Sequence, residues 1–148
     1  MNNTEKLIDA AELNILQTDL EETTDIRLQF KKRGGLLPVI VQEFISKQIL
    51  MLGYTNKEAY EYTLAHKKAA FWSTSRNQLW VKGTTSGNSL SVNQIMVDCD
   101  QDALIYLVTL DGGGVCHTFD QTGKNRKACF YRTVEQENDA LAFLPEMQ

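Results

Sequence analysis

The strongest constraint on the fold is an alternation of short β-rich runs with a single helical segment. Residues 36–44 and 48–54 are both apolar and lie only a few residues apart, which favours a hairpin. Residues 55–68 have a candidate N-cap in Thr55 or Asn56, an acidic first turn and basic residues at the end, which is typical of a helix. Further β-rich runs cover residues 69–75, 79–85, 91–100, 103–110 and 128–136. The sequence therefore predicts an α+β fold, a compact and largely antiparallel sheet domain of six or seven strands with one main helix.

Composition narrows the class of protein. With 148 residues, of which 43% are hydrophobic, the chain is long enough for one domain with a buried core. A net charge of −4 argues against nucleic acid as a partner, and no apolar run is long enough to span a membrane. The first residues have no signal-peptide character, which predicts a cytoplasmic protein. An odd number of cysteines in a reducing compartment favours metal binding, catalysis or plain burial over disulfides.

The chain divides into three parts by composition. Residues 1–25 are polar and are predicted to form an N-terminal extension, which is helical if Leu7, Ile8, Ala11 and Ile15 share one face. Residues 26–135 form the predicted domain, and residues 136–148 a short C-terminal tail.

The most unusual stretch is "VDCDQDA" at 97–103, in which a thiol stands between carboxylates. In an extended segment Asp98, Asp100 and Asp102 would share one face and Cys99 would point the other way. Three converging carboxylates need a cation, and a set of oxygen ligands suits a hard ion such as magnesium. The alternative is a solvated acidic turn between two strands.

The three cysteines are a second candidate metal site. Cys99, Cys116 and Cys129 all lie in the last third of the chain. This clustering favours zinc binding over ordinary burial of the thiols, although no Cys-x-x-Cys spacing is present. His117 follows Cys116 directly. It is a candidate fourth ligand, a candidate general base, or simply a surface histidine.

A polar loop at residues 75–89 contains basic residues, hydroxyls and glycines around Trp80. Arg76 and Lys82 could bind a phosphate, and the indole could stack on a base. The same composition is also that of an ordinary hairpin with its turn.

Taken in order, these motifs resemble those of the phosphoribosyl-AMP cyclohydrolases, which act in histidine biosynthesis. The resemblance runs from about Phe30 to Arg132 through "GGLLPVIVQ", "ILMLGYTNKEAYEYTL", "FWSTSRNQLWVKGTTSGN", "VDCDQDALIYLV", "GGGVCHT" and "ACFYR". It implies an intertwined homodimer and a zinc- and magnesium-dependent cyclic amidine hydrolase. Zinc-activated water would open the adenine ring of phosphoribosyl-AMP at its N1–C6 bond. The product would be the formimino carboxamide ribotide that the third step of histidine biosynthesis forms.

The resemblance also implies roles for individual residues. Zinc would bind Cys99 of one subunit together with Cys116 and Cys129 of its mate, and magnesium would bind Asp98, Asp100 and Asp102. His117 is the candidate catalytic base. The predicted substrate-binding residues, which would contact a phosphate, a sugar or the base, are Ser75, Arg76, Trp80, Lys82 and Ser86.

The chain departs from the family pattern in three places. Thr74 stands where an arginine is usual, and Thr84 where a glutamate is usual. Residues 119–125 form an insertion between Cys116 and Cys129, which we expect to bulge outward as a flexible loop. These departures leave two alternatives open: a noncatalytic, zinc-stabilised binding module, or a related enzyme that acts on another purine nucleotide.

Overall fold

The computed structural model of the protein describes residues 19–148. The helical face predicted at residues 7–15 lies outside these residues. The strands are β1 (Leu37–Glu43), β2 (Ile49–Thr55), β3 (Ala70–Ser73), β4 (Gln78–Val81), β5 (Leu90–Val97), β6 (Leu104–Leu110), β7 (Arg132–Glu135) and β8 (Ala140–Phe143). The main helix is α1 (Lys57–His66), and short 3₁₀ turns cover Phe30–Arg33 and Pro145–Met147. Across residues 19–148, no helix is long and apolar enough to cross a membrane.

The strands form one sheet and two hairpins. The four-stranded sheet has the order β2–β1–β6–β5, and β3–β4 and β7–β8 are separate antiparallel pairs. Among residues 19–148, β1 and β6 are the only parallel pair, while β1–β2 and β5–β6 are antiparallel. The predicted α+β class, the mostly antiparallel strands and the single main helix are confirmed.

The core lies on one face of the sheet because buried and outward residues alternate along its central strands. Leu37, Val39 and Val41 of β1 are fully buried, whereas Ile40 between them faces outward. The Phe71 ring from β3 packs against this layer. A Cβ at Gly53 would lie 2.6 Å from that ring, so only glycine admits such a close approach.

Helix α1 begins and ends as its sequence predicts. The side chain of Asn56 accepts a hydrogen bond from the Ala59 N–H at 2.9 Å, so Asn56 rather than Thr55 is the N-cap. Lys67 ends the helix in a left-handed conformation with φ 54°.

The C-terminal segment contains a strand that the sequence pattern did not predict. The predicted run at 128–136 forms only the four-residue β7, and β8 follows within residues 136–148. Met147 reaches the hydrophobic core, and its carbonyl accepts a hydrogen bond from Arg126 Nε at 2.7 Å. The four apolar residues of β8 are too few to show a strand period.

Candidate active site and metal-binding residues

The predicted carboxylates lie in the turn between β5 and β6, which we call the acidic turn (residues 98–103). β5 ends at Val97, so these residues are not extended, and the predicted opposition of Cys99 to the aspartates does not hold. Asp98 closes the turn, because its Oδ1 accepts two backbone N–H groups at 2.9 and 3.1 Å. Gln101, with φ 57°, reverses the chain direction.

The carboxylates converge even though the backbone is not extended. One oxygen from each of Asp98, Asp100 and Asp102 lies within 4.8 Å of the other two. Within residues 19–148 this is the only group of three or more histidine, cysteine or acidic side chains that comes together in this way. Three anionic oxygens fit a hard divalent cation such as magnesium, so the donor set suits the predicted metal.

Two basic side chains neutralise part of this charge. Lys32 Nζ lies 2.9 Å from carboxylate oxygens of both Asp100 and Asp102, and Arg33 lies 3.0 Å from Asp102. Burial of Asp102 acts to raise its pKa, but hydrogen bonds from Lys32, from the neighbouring acids and from Arg33 lower this pKa to about 2. Burial raises the pKa of Asp98, against the effect of the two N–H groups that it accepts. Asp102 is therefore firmly ionised, and it is the best paired of the three acids.

The thiols of Cys116 and Cys129, which are 13 positions apart in sequence, lie next to each other. The Cys116 N–H donates to the Arg126 carbonyl at 3.0 Å, and the Cys129 N–H donates to the Leu50 carbonyl at 2.7 Å. Gly114 permits the first approach, since a Cβ there would lie 2.2 Å from the Arg126 carbonyl oxygen. Backbone hydrogen bonds thus fix the two backbone segments that carry these thiols.

The surroundings of these thiols shift their protonation. Burial of the sulfur and the adjacent Cys116 thiol raise the pKa of Cys129 to about 11, although the residue as a whole is exposed. Burial lowers the pKa of Lys82, while Cys129 and Cys116 act to raise it. Without a metal, Cys129 is a neutral thiol near neutral pH. A thiophilic cation such as zinc, which binds the thiolate form, suits this pair.

A cavity of about 170 Å³ opens beside Cys116, and we call it the thiol cavity. Five of the predicted site residues line it, together with other residues of the polar loop after β4. The lining residues are Trp80, Lys82, Gly83, Thr85, Ser86, Asn88, Cys116, His117 and Asn125. A thiol, an imidazole, an ammonium group and an indole therefore surround one space.

The other predicted substrate-binding residues lie elsewhere in the same hairpin. Ser75 and Arg76 belong to the exposed turn between β3 and β4, where Ser73 Oγ accepts the Arg76 N–H at 3.3 Å. Thr74 lines a separate cavity, which it shares with Arg33 and Tyr54 among others. The Thr84 hydroxyl donates to the Val81 carbonyl at 2.9 Å and so stabilises its own turn.

Cys99 does not join the other two thiols within one chain. It is exposed on the acidic turn and lines a different cavity, with residues 20–26 on the opposite wall. Its Sγ lies 4.0 Å from an oxygen of Asp100. A single chain therefore brings together two of the three predicted zinc ligands.

Sequence reasoning missed the residues that brace these sites. Lys32 and Arg33 stand in the basic run "FKKR", but no spacing rule connects that run with residues almost 70 positions later. Asn125 donates from Nδ2 to the Cys116 carbonyl at 2.9 Å, and Asn88 donates to Asn125 Oδ1 at 3.3 Å. A lone asparagine in a polar loop carries no signal of such a link.

Comparison with known proteins identifies the family of this chain. The family model for phosphoribosyl-AMP cyclohydrolase matches residues 51–131, more than half of the chain. The chain belongs to the phosphoribosyl-AMP cyclohydrolase family. A phosphoribosyl-AMP cyclohydrolase of Streptococcus mutans is 49% identical over 111 residues, which cover 75% of this chain and 95% of the relative. Those of Chloroherpeton thalassium and Nitrosopumilus maritimus are 44% and 42% identical, and the alignments cover 77% and 100% of these relatives.

The region that matches the cyclohydrolase family contains the thiol cavity and the acidic turn. All three cysteines and the three aspartates of the acidic turn lie within residues 51–131. Lys32 and Arg33 lie upstream of the match, and so do the residues that pack against the acidic turn from the N-terminal side.

Proposed function

We propose that this cyclohydrolase opens the adenine ring of phosphoribosyl-AMP at the N1–C6 bond, the third step of histidine biosynthesis. Substitution at N1 makes C6 electron-poor, so water adds there and the N1–C6 bond then breaks. The observation that carries this proposal is the thiol cavity, in which Cys116, His117 and Lys82 surround one space. At about 170 Å³ the cavity is smaller than ligand sites of ~300 Å³ or more, which suits the reacting base rather than the whole nucleotide.

We assign zinc to Cys116 and Cys129, with Cys99 of a second subunit as the third ligand. When bound, zinc supplies Lewis acidity that makes water a stronger acid. Three thiolates around Zn²⁺ leave a net charge of −1, which weakens that effect relative to a three-histidine site. A nearby protein base is then needed.

His117 is our candidate for that base. It follows Cys116 in sequence and lines the same cavity, so its ring can accept a proton from water beside the thiols. Trp80 offers a face on which the adenine ring can stack, and the buried Lys82 offers a donor to the ring or to the sugar.

The acidic turn is our candidate magnesium site. Asp98, Asp100 and Asp102 would hold the ion, which could in turn bind a phosphate of the substrate. Ser86 in the cavity wall, and Ser75 and Arg76 in the exposed turn, are donors suited to the other phosphate or to the sugars.

We infer a homodimer with zinc shared between subunits. The separation of Cys99 from the other two thiols supports this inference, since the third ligand then comes from another chain.

A row of apolar side chains on the outer face of the sheet also supports the homodimer. Leu52 pairs with Ile40, Ile40 with Ile105, and Ile105 with Met96, so all four share one face. Leu52 and Met96 are 48% and 47% exposed, and a second copy would cover them.

We also propose a cytoplasmic location. Free thiols that bind zinc suit this reducing compartment.

Turnover of phosphoribosyl-AMP tests the function directly. We expect the purified chain to change the absorbance of the nucleotide when zinc and magnesium are present, and to stop when a chelator is added. No turnover with both metals supplied would contradict the proposed reaction. His117→Ala should slow turnover while zinc stays bound, and near-normal turnover in that variant would remove His117 from the mechanism.

A further inference from the structure

Lys32 occupies a position in the acidic turn that a metal ion would share. Its Nζ lies 2.9 Å from Asp100 Oδ2 and 2.9 Å from Asp102 Oδ2, so one ammonium group bridges two of the three converging carboxylates. Arg33 adds a second cation at 3.0 Å from Asp102. Three carboxylates that face two cations keep a net charge of −1. The ion pairs thus relieve most of the repulsion that a metal would otherwise relieve.

The segment that carries Lys32 is fastened to the same turn. The side chain of Gln101 is buried, and its Oε1 accepts the Arg27 N–H at 2.6 Å. Its Nε2 donates to the Asp25 carbonyl at 3.2 Å, and its own carbonyl accepts the Gln29 N–H at 2.8 Å. These hydrogen bonds hold residues 25–29 on the acidic turn. Lys32, three residues further on, is therefore tethered beside the carboxylates rather than free to diffuse.

We propose that Lys32 is an internal counter-cation of the acidic turn, and that a divalent cation must displace its ammonium group in order to bind. This inference rests on the proposed role of the acidic turn as a magnesium site. It adds a positioning residue from upstream of the region that matches the family. Lys32 holds the carboxylates together before the metal arrives, and it lowers the apparent affinity for the metal.

The size of the effect follows from the fraction of molecules in which Lys32 is paired. A ligand that binds only the unpaired form has its affinity reduced by the fraction of that form. The ammonium group is partly exposed, with 44% of the side chain accessible, so its pairing is moderate. Pairing in about 70–90% of molecules lowers the affinity about three- to tenfold.

Direct binding of metal to the full-length protein tests the proposal without substrate. Mn²⁺ is titrated against wild type and Lys32→Met, with free Mn²⁺ followed by electron paramagnetic resonance, and Mg²⁺ binding is measured by calorimetry. We expect Lys32→Met to bind both ions about three- to tenfold more tightly, and Lys32→Arg to stay close to wild type. Equal or weaker binding by Lys32→Met would overturn the proposal.

Two further variants separate this proposal from the magnesium site itself. Lys57→Met removes the same charge from the first turn of α1, where Lys57 is 3.9 Å from Glu61, and should leave binding unchanged. A gain equal to that of Lys32→Met would show a general charge effect and overturn the proposal. Asp100→Asn should weaken Mn²⁺ binding strongly. If it does not, the acidic turn is not the site and both proposals fail. If it does while Lys32→Met binds like wild type, only the role of Lys32 is refuted.

Discussion

The acidic turn and the thiol cavity differ in how much of each candidate metal site one stretch of chain provides. The three carboxylates come from five consecutive residues. One of them, Asp98, also closes the turn by accepting a backbone hydrogen bond. The Cys116 loop bonds to Arg126 and the Cys129 loop bonds to Leu50 of the distant strand β2, and Cys99 is absent from the group within one chain. A site built by local backbone geometry forms with its turn, whereas a site built by loops depends on the whole fold and, we propose, on a second subunit.

The largest effect is expected when the thiol site is broken in two different ways. Cys99→Ser and Cys116→Ser should each lower turnover by at least about 10²-fold, because each removes a proposed zinc ligand. If zinc is shared, unfolding and refolding a mixture of the two dead variants should restore activity. About half of the dimers are then mixed, and each mixed dimer has one complete site of two, so recovery reaches about a quarter of wild type.

A matched mixture controls for this result. Cys116→Ser and Cys129→Ser alter ligands that we place on the same subunit, so their mixture should leave no complete site and recover no activity. Recovery in that control, or none in the first mixture, would contradict a site shared in this way.

The two sites should also respond differently to pH. The pKa of Cys129 is raised to about 11, so a proton must leave this thiol before it can bind zinc at any pH near neutrality. Zinc affinity should fall about tenfold for each unit of pH decrease, for each proton displaced. The pKa of Asp102 is lowered to about 2, so this acid is ionised throughout the same range. Magnesium affinity of the acidic turn should therefore change little between pH 6 and 8.

Chelator competition for zinc and calorimetry for magnesium, each at pH 6, 7 and 8, measure this contrast. A zinc affinity that does not change with pH would show that the thiols are already deprotonated without metal. A steep loss of magnesium affinity toward pH 6 would contradict this contrast and would point to protonation of Asp98, whose pKa burial raises.

The same contrast explains what could be predicted from the sequence. The strands of the main sheet, helix α1 and the convergence of three carboxylates all follow from patterns within about ten residues, and the structure contains them. The extended geometry assumed for residues 98–103 does not hold, because alternation of acids looks the same in a strand and in a turn closed by Asp98.

What could not be predicted depends on contacts that leave no pattern in the sequence. No local pattern pairs Lys32 with Asp102, or places Asn125 against the Cys116 carbonyl. Residues 121–124 of the insertion are exposed, and its last residue, Asn125, turns back to line the thiol cavity. Residue type alone makes Trp80, Lys82 and Cys116 candidates, but their convergence on one cavity follows only from the fold.

A smaller effect separates the structural role of Asp98 from its proposed role in metal binding. Asp98→Ala removes the acceptor of two backbone N–H groups in the acidic turn and should lower the free energy of unfolding by about 1–2 kcal/mol. Asp98→Asn keeps an acceptor oxygen, so its stability should stay near wild type while magnesium binding weakens. Urea denaturation in metal-free buffer measures the first effect and calorimetry the second. Equal stability of the two variants would mean that the carboxylate does not hold the turn.

The smallest effect is expected at the link between the insertion and the thiol cavity. Asn125→Ala removes the hydrogen bond to the Cys116 carbonyl and the contact with Asn88, and should lower the free energy of unfolding by about 1 kcal/mol. Since the Cys116 backbone also bonds to Arg126, the loop should keep its course, and zinc affinity should fall only a few-fold. Thr122→Ala, which removes a hydrogen bond at 2.6 Å to Asp120 within the exposed insertion, is the matched control. If Thr122→Ala changed zinc affinity as much as Asn125→Ala, the effect would come from the loop as a whole, and Asn125 would have no particular role beside the thiols.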